Sequence, residues 1–154
     1  GFVTYKSKLN NINERKRGYI QALADNGLEV KDSHIANIRY QHIKEDVRNK
    51  LTELTKTSHN VDAFFFATNS LAVESLHLIN SIGLSVPQEI GIISFDESDA
   101  FDFFYAPLSF VKQNLQEIGS HAVRILLNSI ENIENIESIK VNSELIIRKS
   151  SVLK

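Results

Sequence analysis

Six of the seven residues Val61–Asp62–Ala63–Phe64–Phe65–Phe66–Ala67, all but Asp62, carry apolar side chains, at odd and even positions alike. A strand points successive side chains to opposite faces, so such a run suits an inner strand of a parallel sheet covered on both sides. Ile90–Gly91–Ile92–Ile93–Ser94–Phe95 repeats the pattern and ends at Asp96. Between the two, Thr68–Asn69–Ser70 breaks the strand and can cap a helix over roughly 71–82, which stops at Gly83 with Pro87 soon after. Strand, helix, strand in this order commits the chain to an α/β fold with a mostly parallel sheet.

The flanking sequence continues the alternation. Phe2–Tyr5 reads as a short strand, and Asn11 with Glu14 three residues on looks like a helix N-cap close to a capping box. That helix places Tyr19, Ile20, Leu23 and Ala24 on one face and ends at Gly27. Ile35 to Tyr40 alternates as a half-buried strand, and Ile43, Val47, Leu51 and Leu54 recur at helical spacing. Leu108 to Val111 is a further strand. Leu115 to Ile130 is a helix with Ile118, Ala122, Ile125 and Ser129 on one side, and Val141 to Arg148 closes the chain as a strand.

Composition narrows the function classes. A chain of 154 residues is one domain of ordinary size, and 42% hydrophobic with 23% charged residues is the balance of a soluble globular protein. No cysteine is present, which excludes disulfides, thiolate metal sites and cysteine nucleophiles. No apolar run reaches the ~18 residues of a membrane span, so no membrane partner is expected. Seventeen basic against 19 acidic residues, net −2 with no basic block, speak against this piece gripping phosphates itself. The chain begins at Gly1 without an initiator methionine or a visible signal peptide, so a longer natural N-terminus is expected.

In an open α/β sheet, ligands bind beyond the C-terminal strand ends, where Asn69 and Asp96 fall. A carboxylate beside an amide suits a ligand with hydroxyl or N–H donors. The same two residues could simply cap the segments after them. Arg15, one turn into the first helix, could fork onto ligand oxygens or be solvated beside Lys16 and Arg17. Tyr40 could stack on a ligand ring or pack in the core. The acidic stretch 96–102 lacks the glycine and later glutamate of a calcium loop, and His34, His42, His59, His77 and His121 show no paired ligand spacing, so no metal is expected. Nor is there a serine elbow, a phosphate-cradling loop or a dinucleotide fingerprint, which leaves an enzyme without visible equipment and the chain without an expected cofactor.

Four stretches together resemble one family. Asn13–Glu14–Arg15–Lys16–Arg17–Gly18–Tyr19, with Ala22–Leu23 and Gly27, is similar to the R-x-x-G-[FY]-x-x-A-L-x-x-x-G stretch of lactose/galactose-repressor regulators. Phe66–Ala67–Thr68–Asn69–Ser70 resembles their A-x-N-D loop, and the run from Gly83 to Asp96 their G-x-x-V-P-x-D-[VI]-x-[VI]-x-G-[FY]-D. Pro107–Leu108–Ser109–Phe110–Val111–Lys112–Gln113 matches P-L-[TS]-x-[VI]-x-Q. The stretches come in family order and at family spacing across nearly the whole chain.

The resemblance implies a Rossmann-like, doubly wound, periplasmic-binding-protein-like fold of two lobes, of which this chain (1–154) is mainly the C-terminal one. Residues 11–113 and 131–154 would form that lobe, while 1–6 and 114–130 would pack on the N-terminal lobe. It further implies a cytoplasmic homodimer that binds a small sugar-like effector, and contacts operator DNA through an N-terminal domain absent from this chain. Arg15 matches the effector-contacting arginine, Asn69 the asparagine of N-D and Asp96 the aspartate after the G-[FY] strand. Tyr40 falls near the stacking aromatic, and Leu71, Glu74, Phe103 and Phe104 lie on stretches resembling dimer surfaces. Ser70 stands where the family has aspartate, Ser94 where it has glycine and Glu97 where it often has a second aspartate. Two rivals stay open on the sequence alone: an extracytoplasmic sugar-binding protein of a transport system, and an enzyme using Asp96 as acid or base.

Overall fold

A computed structural model describes residues 1–56, 61–131 and 137–152. His59 and parts of the expected 131–154 segment fall outside them. Six strands form one sheet: β1 (Phe2–Tyr5), β2 (Ile35–Ile38), β3 (Ala63–Phe66), β4 (Gly91–Phe95), β5 (Ser109–Gln113) and β6 (Ser143–Ile146). Their order is β2-β1-β3-β4-β5-β6; all neighbouring pairs are parallel except β5–β6. This is the expected doubly wound pattern, with helices α1 (Asn10–Asp25), α2 (Ile43–Leu54), α3 (Asn69–Ser81) and α4 (Leu115–Glu131).

The Phe64–Phe66 run behaves as its pattern demands. Phe64 and Phe66, 1% and 0% exposed, face a core shared with Val47, Leu51 and Leu54 of α2 and Leu71, Ala72 and Ile79 of α3. Phe65 points the other way, joining Phe2, Ile35 and the α1 residues Tyr19 and Ile20. Gly27 (φ +68°) and Gly83 (φ +74°) sit just beyond α1 and α3 in the left-handed region, so the expected glycine stops are present.

Residues 1–6 hold β1, an inner strand hydrogen-bonded to β2 on one side and β3 on the other. Two local expectations are corrected. Asn11 is not the N-cap: α1 starts one residue earlier behind an extended Leu9 that makes no side-chain cap, and Asn11 lies inside the helix. The strand read over 35–40 ends at Ile38, and Tyr40 belongs to a short 3-10 turn, Tyr40–His42.

The cause of that early end is Asp46. Its carboxylate accepts from the Arg39 backbone N–H at 2.8 Å, from Arg39 Nε at 2.9 Å and from Nη2 at 2.6 Å, which pins the turn over the start of α2. These donors hold the Asp46 carboxyl well below the usual carboxylate range, hydrogen bonding from the Arg39 side chain being the largest cause. A carboxyl whose folded pKa is depressed lends stability that is complete above its unfolded value and is lost as pH falls toward the folded one. The urea midpoint therefore drops as pH falls through about 4. Asp46→Asn is less stable at neutral pH and shows a shallower acid limb, the remaining slope coming from Glu89 and Glu137, which are also held low. An acid limb of equal slope in both proteins would contradict this.

The C-terminal tail is docked by hydroxyls. Ser150 Oγ donates to the Ile92 carbonyl (2.6 Å) and accepts from Ser109 N–H (2.8 Å), and Ser109 Oγ lies 2.6 Å from Ser151 Oγ. Helix α4 is different. Leu115, Val123, Leu126, Leu127 and Ile130 are 57–69% exposed along it, a stripe broader than the expected Ile118–Ala122–Ile125–Ser129 face. Among the described residues no helix is long and apolar enough to cross a membrane.

Candidate functional site

The C-terminal ends of β1, β3 and β4 and the first turns of α1 open on one edge of the sheet. Asp96, directly after β4, adopts φ +68°, a left-handed conformation that aspartate tolerates better than most residues. Its N–H donates to the Val111 carbonyl at 3.0 Å, leaving the side chain to turn toward α1. There Arg15 Nη1 donates to Asp96 Oδ2 at 3.2 Å and to the Ala67 carbonyl at the end of β3 at 2.6 Å. The guanidinium lies over the Phe95 ring, 3.8 Å from its centroid, and the side chain is 11% exposed. Gln113, the last residue of β5, donates through Nε2 to Asp96 Oδ1. Both carboxylate oxygens are thus held by donors, which fixes the plane of the group.

The alternatives left open by sequence resolve here. Arg15 is not a solvated arginine; Arg17 is, paired at 2.5 Å with Glu14 on the outer face of α1. Neither Asn69 nor Asp96 is a cap. Thr68 caps α3, accepting from the Leu71 N–H at 3.4 Å, and Ser98 caps the turn Asp99–Asp102. Asn69 instead sends Nδ2 to the Glu97 carbonyl, 2.8 Å away, tying α3 to the loop after β4. Glu97 in turn pairs with Lys112 at 3.3 Å. Tyr40 is not core: it is 71% exposed, its ring 4.9 Å from that of Tyr5 and inclined by 41°.

Arg15, Tyr40, Asn69 and Asp96 all line one cleft of about 450 Å³, with Tyr5, Thr68 and Ser70 on the wall between them. Sequence reading missed Tyr5 and Gln113 as members of this neighbourhood. Both are terminal residues of strands, and the position of Asn69 and Asp96 at strand ends was the signal that could have found them. Among the described residues no group of three or more histidine, aspartate or glutamate side chains could hold a metal ion.

The expected dimer residues divide. Leu71 is corrected: it is 0% exposed, turned into the core between α3 and the sheet, and cannot meet another molecule. Phe103 is 89% exposed and Phe104 half-buried, and with Val73, Leu76, His77 and Tyr105 they line a groove of about 440 Å³ on the outer side of α3. Glu74 is half-buried on α3.

Known proteins share this fold. The periplasmic binding protein-like domain model matches residues 1–151, and the chain belongs to that family. A relative, the HTH-type transcriptional repressor PurR of Mannheimia succiniciproducens, is 27% identical over 138 residues, which are 89% of this chain and 41% of the relative. The chain thus spans less than half the length of such relatives. Among solved structures, a LacI-type transcriptional regulator from Bacillus cereus subsp. cytotoxis matches with a TM-score of 0.85 at 22% identity, over 99% of this chain and 54% of its own. A sugar-binding regulator of the LacI family from Escherichia coli, complexed with phosphate, matches at 0.79 and 22%, over 99% and 54%.

Proposed function

We propose that this chain is the C-terminal part of the effector-binding and dimerisation region of a bacterial transcriptional regulator acting in the cytoplasm, and that Arg15, Tyr40, Asn69 and Asp96 hold a sugar-like effector. The observation that carries this reading is the convergence of an arginine, a carboxylate, an amide and an exposed aromatic ring on a single cleft at the C-terminal edge of a parallel sheet. Arg15 donates to ligand oxygens, Asp96 accepts from hydroxyl or N–H groups, and Tyr40 offers a ring face. The relatives named as transcriptional repressors, and the Escherichia coli neighbour described as sugar-binding, support the same assignment.

In this reading residues 11–113 and 131–154, with β1, form the C-terminal lobe, and α4 packs on an N-terminal lobe that covers its exposed leucines. An effector held by both lobes shifts them toward closure by the difference in its affinity for the two arrangements. In a homodimer built on Glu74, Phe103 and Phe104, closure changes the spacing of two upstream DNA-binding heads and so their fit to paired operator half-sites. The test is operator binding by the gene product that carries this chain, followed by fluorescence anisotropy across a panel of sugars and purines. A bound panel member changes operator affinity by at least about 5-fold. Binding of a panel member with operator affinity unmoved would contradict the regulator assignment.

A further inference from the structure

One wall of the cleft is a chain of hydroxyls. Tyr5 OH lies 3.1 Å from Ser70 Oγ, and Ser70 Oγ lies 3.1 Å from Thr68 Oγ1. Thr68 Oγ1 also accepts the Leu71 N–H, and in each of the two hydroxyl links either oxygen can be the donor. Three hydroxyls bring three protons, and the two links between them use two. One O–H of the three is left to donate outward. The Tyr5 ring is 9% exposed and leans on the exposed ring of Tyr40, making an aromatic corner beside that spare donor.

The cleft is therefore graded. Asp96, an acceptor with both oxygens already fixed, stands at one end, and a neutral donor stands at the other. Resting on the effector-cleft reading above, we infer that Tyr5, acting with Ser70, is a specificity-determining residue that gives this spare proton to a ring or hydroxyl oxygen of a saturated, hydroxylated ring. A hydroxyl group both donates and accepts, so one such ring satisfies Asp96 with one hydroxyl and the Tyr5–Ser70 pair with another. Its C–H face rests on Tyr40. An aspartate at position 70 would put a carboxylate beside the Tyr5 hydroxyl and consume the proton; serine leaves it free.

The experiment is calorimetric titration of the gene product carrying this chain with ribose, glucose, galactose, cellobiose and hypoxanthine, then of its Tyr5→Phe, Ser70→Asp and Asp96→Ala variants. The tightest-binding sugar and its monodeoxy analogues are compared in each. Tyr5→Phe keeps the buried ring and loses only the hydroxyl, so the spare proton withdraws from the Tyr5 position to the Ser70–Thr68 pair. It weakens the tightest-binding sugar by on the order of 10-fold, and the wild-type preference for that sugar over one monodeoxy analogue collapses. A merely structural tyrosine would leave that ranking intact. Ser70→Asp, on an exposed side chain, takes the Tyr5 proton itself, gives the same collapse and serves if Tyr5→Phe fails to fold.

If Tyr5→Phe and Ser70→Asp keep full affinity and ranking while Asp96→Ala loses binding, the inference is overturned and the cleft stands. Preference for hypoxanthine over every sugar, or binding of no sugar, overturns the ligand chemistry. Binding that survives Asp96→Ala as well overturns the cleft reading itself.

Discussion

Asp96→Ala lowers effector affinity by at least ~100-fold, because a hydrogen bond to a charged group is worth about 1.5–3 kcal/mol and an effector hydroxyl pair loses two of them. Two further costs fall on the fold. Arg15, 11% exposed, is left with the Ala67 carbonyl as its remaining hydrogen-bond partner over the Phe95 ring, and alanine must adopt φ +68° without the local hydrogen bonding that makes this conformation tolerable for aspartate. Asp96→Asn separates these effects. Asparagine accepts the left-handed conformation as readily, and its Oδ1 still takes the Arg15 proton, but its Nδ2 confronts the Gln113 amide donor and cannot accept from a ligand. Calorimetry is expected to show both variants losing the effector, while thermal melts show the alanine variant less stable than the asparagine one. An alanine variant that binds like the wild type would remove Asp96 from the site.

How much of the fold and the site was readable in advance depends on the range of the interaction. The inner strands announced themselves because Phe64–Phe65–Phe66 must hide both faces, and that demand is local to the run. The glycine stops were legible for the same reason: a left-handed residue just after a helix is a requirement of that one position. The place of β1 was not, since nothing in Phe2–Tyr5 says which strands flank it; its neighbours are Ile35–Ile38 and Phe65–Phe66, tens of residues away. Tyr40 continued a polar–apolar alternation that ends at Ile38 because a carboxylate in the next helix, Asp46, takes the Arg39 N–H. The site was legible as residue types at strand ends. Its internal bonds were not: Arg15 meets Asp96 and Gln113 meets Asp96 across separations of 81 and 17 residues. Asn69 and Asp96 looked like caps because their neighbours Thr68 and Ser98 are equally good ones, and local chemistry does not choose between them.

Leu71 shows the same limit from the other side, and its replacement carries the second large effect. Leu71→Ala costs about 2–5 kcal/mol of unfolding free energy, the range for emptying a packed leucine site in a core that collapses only partly. The side chain is 0% exposed between α3 and the sheet, in a core lined by Phe64, Phe66, Ala72 and Ile79, and its N–H is the one that the Thr68 cap receives. Phe103, 89% exposed on the rim of the α3 groove, is the contrasting position. Phe103→Ser leaves monomer stability within about 0.5 kcal/mol, as surface substitutions do, yet shifts a dimer built on this groove toward monomer in sedimentation equilibrium. Urea unfolding of the two variants at matched protein concentration measures the difference. A Leu71→Ala cost under about 1 kcal/mol, accompanied by dissociation, would put Leu71 at an interface after all; a large cost with self-association unchanged places it where its burial does, holding α3 to the sheet and so holding Asn69 at the mouth of the cleft.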